Sequence, residues 1–181
     1  MYGLVNKAIE QMVVMHHDEE TWERIKAKAG TEIVVFISNE SYPDELTYAL
    51  VAAASEVLQA PTEKLLHAFG EHWVLHTAQQ SYGGLMRAAG RSIGEFLANL
   101  PNFHARVSMI YPKLKPPHFE CKDISANSLN LHYHSEREGL QPFVVGLMVG
   151  LGKMFETPVE VKQILFKNQG NSHDVFTVTW C

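Results

Sequence analysis

Three groups of residues in this 181-residue chain have the types and spacing to do chemistry. The first is Tyr133-His134-Ser135-Glu136-Arg137. Side chains alternate along a strand, so Tyr133, Ser135 and Arg137 should share one face at intervals of about 6–7 Å, a phenol, a hydroxyl and a guanidinium in a row. Three donors suit an anion with spread-out oxygens, and a guanidinium grips carboxylate in a two-pronged fork. Leu129 and Leu131 continue that face, which makes the anion part of an otherwise apolar molecule; the plainer alternative is a strand whose Arg137 pairs with an internal Asp or Glu. The second group is His104 within NFHARV, flanked by Phe103 and Val107, either a core histidine bonded to a carbonyl or a ligand. The third is His72 and His76, four apart on one helical face and able to reach a single metal ion. A zinc hydrolase of the HExxH pattern needs Glu where this chain has Trp73.

The elements that position these residues are legible in outline. Val5, Ile9, Met12, Val13 and His16 follow helical spacing, and a second periodic segment from about Asp18 stops at Gly30, a natural left-handed cap. After the short apolar run IVVFI, Pro43 opens a helix with Leu46, Leu50, Ala54 and Val57 on one face. Pro61-Thr62 starts another with Leu65, Leu66, Phe69 and Trp73 inward. Ser92 with Glu95 is a capping-box pattern ahead of Phe96, Leu97 and Leu100. Pro101-Asn102 then breaks that helix and restarts a short one, with His104 expected in its first turn. Further on, Leu129 to Arg137 alternates with Asn130, His132, His134 and Glu136, the period of a strand with two unlike faces. GLQPFVVGLMVGLGKMF reads as a glycine-punctuated apolar helix, and VEVKQILF and DVFTVTW as strands joined across the turn-rich NQGNSH. The expectation is an α+β fold, a helical N-terminal part followed by helices and antiparallel strands.

Composition narrows the function classes. Length predicts a single domain, and 46% hydrophobic against 19% charged residues is the balance of a globular chain. A net charge of -5 leaves no source for the counterion release that drives nucleic-acid binding. Two cysteines, Cys121 and Cys181, build neither a disulfide framework nor a four-thiolate zinc site, which favours a reducing cytoplasm. No apolar run reaches about 18 residues, so neither a membrane partner nor a processed leader is expected. Ten histidines exceed what a structural core needs.

Taken together, one neutral nitrogen ligand, an anion clamp and an apolar lining describe the needs of heme: iron, propionates and porphyrin. At these residues the chain resembles the H-NOX family, the heme-dependent nitric oxide and oxygen-binding domains related to the heme domain of soluble guanylate cyclase. The resemblance runs through the MYGLVNKAI start, FGEHWV, NFHARV, PPHFEC, the Y-x-S-x-R strand, and GLMVGLGKMF with the two closing strands. It implies about seven helices and a four-stranded antiparallel sheet, with heme b (iron protoporphyrin IX) between a helical subdomain of about 1–60 and an α+β subdomain of about 61–181. It makes His104 the proximal iron ligand, Tyr133, Ser135 and Arg137 the propionate clamp, and Pro117 the residue that presses on the porphyrin. A zinc site that some relatives build from Cys and His near the C-terminus is not expected here.

The resemblance places Phe143 at the distal position where dioxygen-holding members have a tyrosine, with Ile9 and Trp73 at the supporting positions and Val5 and Leu147 nearby. Dioxygen on ferrous iron gains negative character and wants a donor; nitric oxide needs none. The expectation is therefore a non-enzymatic sensor of nitric oxide, and more weakly carbon monoxide, signalling in trans to a histidine kinase or a cyclic-nucleotide signalling enzyme. The rivals are a dioxygen-binding heme module using Trp73 or Tyr2, and a zinc-dependent hydrolase built on His72 and His76.

Overall fold

A computed structural model describes residues 1–111 and 115–181. Two helices open the chain, α1 (Gly3–His16) and α2 (Glu19–Lys28). Asp18 caps α2 by accepting from the Thr21 N–H at 2.7 Å, and Gly30 follows in the left-handed region at φ +71°. The apolar run at 33–37 forms no regular element; Phe36 is buried, while Val34 and Val35 are exposed. Pro43 then caps α3 (Asp44–Val57) and Pro61 caps α4 (Thr62–His72).

From α4 the helix runs on without a break through a π-helical segment (Trp73–Ala78) into α5 (Gln79–Ala89). Short α6 (Ile93–Ala98) begins as its sequence predicts. Ser92 Oγ accepts from the Glu95 N–H at 3.3 Å, and the Glu95 carboxylate accepts from the Arg91 N–H at 2.8 Å. Helix α7 (Leu100–Ile110) tolerates Pro101 because a first-turn N–H has no intrahelical partner to lose. Helix α8 (Gln141–Met154) follows the first two strands. Among the described residues, with α4 and α5 as one rod, the eight α-helical segments make seven helices, alongside a short 3₁₀ turn at Lys167–Gln169.

Four strands, β1 (His118–Lys122), β2 (Ser128–His134), β3 (Val159–Leu165) and β4 (Asp174–Trp180), form one antiparallel sheet in the order β1-β2-β4-β3. Alternation decides its two faces. Phe119, Leu129, Leu131, Tyr133, Phe176 and Val178 are buried against α6, α7 and α8, while Asn130, His132 and His134 turn outward. The α+β expectation thus holds.

Two hydrophobic cores result. One joins the sheet to α5 through α8; the other joins α1, α2 and α3 to Phe69 of α4. Between them α4 and α8 cross at very short range. A Cβ on Gly70 would collide with the Phe143 carbonyl, and one on Gly146 with the His67 carbonyl, so only glycine lets these backbones meet. Among the described residues, no helix is long and apolar enough to cross a membrane.

Candidate functional site

Helix α7 begins at Leu100, so His104 opens its second turn rather than sitting in the first; Asn99, not Pro101, marks the boundary. This places the imidazole against the sheet, where its ring stacks on Phe119 of β1 at 5.4 Å between centroids and an interplanar angle of 27°. Phe103 flanks it at 5.7 Å. The His104 Nδ1 is buried without a hydrogen-bond partner among the described residues. Burial pushes the pKa down to about 4, so the ring is neutral at physiological pH and keeps a lone pair for a Lewis acid.

Phe119 links His104 to the expected clamp, its ring lying 5.3 Å from that of Tyr133. Strand β2 ends at His134, however, so Ser135 and Arg137 lie beyond it and do not extend a straight row. A turn joins the last two instead. Ser135 Oγ accepts from the Arg137 backbone N–H at 3.0 Å. Burial raises the Tyr133 pKa, keeping its hydroxyl a neutral donor. Arg137 does find an internal acid. Its Nε donates to Asp44 Oδ2 at 2.7 Å, and its terminal N–H to the Lys115 carbonyl at 2.9 Å. Asp44 also receives the N-terminal ammonium. Burial alone would raise its pKa, but the ammonium and Arg137 together hold it below the usual carboxylate range. Pro117 is half-buried in the segment from Lys115 to Phe119, tied at one end to Arg137 and at the other to the His104 ring.

The expected distal residues fall mostly in the helical core. Val5, Ile9, Trp73 and Phe143 pack there around Phe69, whose ring is 5.3 Å from Phe143 and 6.1 Å from Trp73. Leu147 belongs to the sheet-side core, and Trp73 touches both. Tyr2 packs edge-on against Tyr111 at 4.8 Å, beside the C-terminal end of the His104 helix. His72 and His76 stack at 4.6 Å at the start of the π-helical segment, and both His72 ring nitrogens are buried without partners among the described residues. Among those residues no third ligand completes a metal site with this pair.

Two site features escaped sequence reading. Asp44 lies 93 residues from Arg137, and nothing in its helix start signals the pairing. Phe119 is visible in PPHFEC, but only the pairing of β1 with β2 reveals that it carries His104.

A neutral, half-buried imidazole with one buried unpartnered nitrogen, set among aromatic rings and linked through Phe119 to the phenol that precedes a hydroxyl and a guanidinium, fits the iron and propionates of heme. The comparisons with known proteins agree. Residues 2–163 match the family described as Haem-NO-binding. The soluble guanylate cyclase gcy-31 of Caenorhabditis elegans is 28% identical over 176 residues, which cover 97% of this chain and 25% of the cyclase. The chain thus spans about a quarter of that relative. An H-NOX protein from K. algicida, solved in the unliganded Fe(II) state, superposes with a TM-score of 0.86 at 25% identity, covering 100% of this chain and 97% of the other. One from S. oneidensis, in the Fe(II)NO state, reaches 0.90 at 19% identity with 100% and 99% covered. The chain belongs to the Haem-NO-binding, or H-NOX, family: it is a heme-binding gas-sensor domain related to soluble guanylate cyclase.

Proposed function

We propose that this domain senses nitric oxide, and more weakly carbon monoxide, with His104 as the proximal ligand. The observation that carries the reading is the neutral His104, whose Nδ1 is buried and has no partner among the described residues. When bound, heme b supplies the ferrous iron at which a diatomic gas is held. Tyr133, Ser135 and Arg137 would hold its propionates by donating to them, and Pro117, a ring of fixed φ, would bear on the porphyrin. Val5, Phe143 and Leu147 offer only hydrocarbon and aromatic surface to the gas and exclude water, with the Trp73 indole beside them. Without a hydroxyl there, dioxygen gains little while nitric oxide loses nothing. The division into subdomains near residue 60 belongs to this proposal, as does signalling in trans, through the His104 helix, to a histidine kinase or a cyclic-nucleotide signalling enzyme. A cytoplasmic setting is supported by two free cysteines, one of them, Cys121, with its thiol pushed up to about 11 by burial and so unreactive.

The test is absorbance spectroscopy of the purified, reduced protein with and without nitric oxide. A Soret band that shifts with the gas is expected, as is failure to hold a stable dioxygen spectrum in air. Replacing His104 by Gly should abolish heme retention until imidazole is added. A preparation that stays colourless with hemin would overturn the reading, and a stable dioxygen spectrum would replace nitric oxide by dioxygen.

A further inference from the structure

The outer face of the sheet gathers histidines from β1, from β2 and from the residue just before β4. His132 and His134 alternate outward on β2, and His118 on β1 is the register partner of His134. Tyr133 pairs with Asp174, so one further register step sets His134 opposite His173. The rings are in contact. His132 Nδ1 and His173 Nε2 lie 2.8 Å apart, and His134 stacks on His173 at 4.0 Å with an interplanar angle of 17°. Among the described residues, His132, His134 and His173 alone form a group of three or more potential ligands, one ring nitrogen from each lying within 4.8 Å of the others.

The geometry points to a divalent transition-metal site formed by His132, His134 and His173, separate from the His104 site, with its fourth position open to water or an outside ligand. Tetrahedral zinc at about 2.0–2.1 Å from each nitrogen sets neighbouring nitrogens roughly 3.3 Å apart, so nitrogens that lie within 4.8 Å of one another would draw together as the rings turn toward the ion. His173, just before β4, is held firmly. Asp174, next to His173, is buried and accepts from Gln141 Nε2 at 3.1 Å, Gln163 Nε2 at 2.8 Å and the Lys167 N–H at 2.9 Å. Ser172 Oγ lies 2.7 Å from His173 Nδ1, which orients the ring and leaves Nε2 facing His132. Glu120, the register partner of His132, is ion-paired to Lys122 at 3.1 Å.

Calorimetric titration of the tag-free heme-loaded protein with zinc chloride tests the site. One saturable ion per chain is expected, with the Soret band unmoved. His134→Gln and His173→Gln should each weaken binding roughly tenfold or more, while His76→Gln leaves it unchanged. X-ray absorption of the zinc-loaded unmodified protein should show three imidazole nitrogens. No saturable binding, sulfur among the ligands, or equal affinity in both sheet variants would overturn the assignment.

Discussion

Asp44 holds the guanidinium that the heme reading assigns to a propionate, so Arg137 is oriented by the protein's own carboxylate and is not free to swing. A side chain pinned by Asp44 and the Lys115 carbonyl loses little further freedom when it meets an anion. Arg137→Ala should therefore weaken heme retention by roughly 1.5–3 kcal/mol, one charge-assisted contact, measured as the rate of heme transfer to an excess of a tighter acceptor. A second prediction at this scale concerns His72, 5% exposed, whose pKa burial lowers to about 4, with His76 and His16 adding repulsion. The unfolded chain takes up this proton near pH 6.5, the native chain near 4. His72 thus contributes its full stability above pH 6.5 and loses it as pH falls toward 4, roughly 2–3 kcal/mol in all. Urea unfolding across that range should show the loss, and His72→Gln should flatten it. Much of the site was legible in the sequence because residue type announces chemistry: an imidazole, a phenol and a guanidinium keep their donor properties wherever they stand. Asp44 was not, because a carboxylate is common and only the folded chain brings it beside residue 137.

At the scale of elements, the crossing of α4 over α8 fixes where Trp73 and Phe143 stand relative to one another. Gly146→Ala would push a methyl into the His67 carbonyl, a backbone atom that cannot swing aside. The variant should lose roughly 1–3 kcal/mol of stability, the usual cost of overpacking, read from the denaturant midpoint. Gly84→Ala on α5, where an added Cβ meets nothing, should cost no stability and is the control. Helix starts were readable because they are written locally: Asp18, Pro43, Pro61 and Ser92 each stand where a cap is needed. Strand β1 was not readable by periodicity; five residues give too little alternation, and its place depends on pairing with β2. The end of β2 was missed for a similar reason. Ser135 and Arg137 keep the alternating pattern after the ladder has stopped, because a turn held by the Ser135 hydroxyl uses the same residue types.

For the whole molecule, the two cores are joined by the close crossing of α4 and α8 and by Trp73, which contacts both, while Asp44 and Arg137 tie the start of α3 to the turn after β2. Any shift of one core against the other must strain that ion pair. Nitric oxide added to the ferrous protein should accordingly change amide hydrogen exchange at α7 and at the first turn of α3 together. Asp44→Asn should uncouple the two responses, and exchange that changes at α7 alone in the unmodified protein would show that the ion pair transmits nothing.

The π-helical segment gives the long rod between the cores a different angular phase at each end. Leu66 and Phe69 are buried before it; Tyr82, Met86 and Ala89 are buried after it. A π turn carries one residue more than the α turn it replaces. Deleting a single residue between 73 and 78 would let the rod close into continuous α-helix with its distant half still in register, whereas the same deletion within 81–88 would rotate the far end by roughly 100° and pull Met86 and Ala89 out of the sheet-side core. Tolerance to shortening along this helix should therefore be sharply local, like a screw thread with one loose turn.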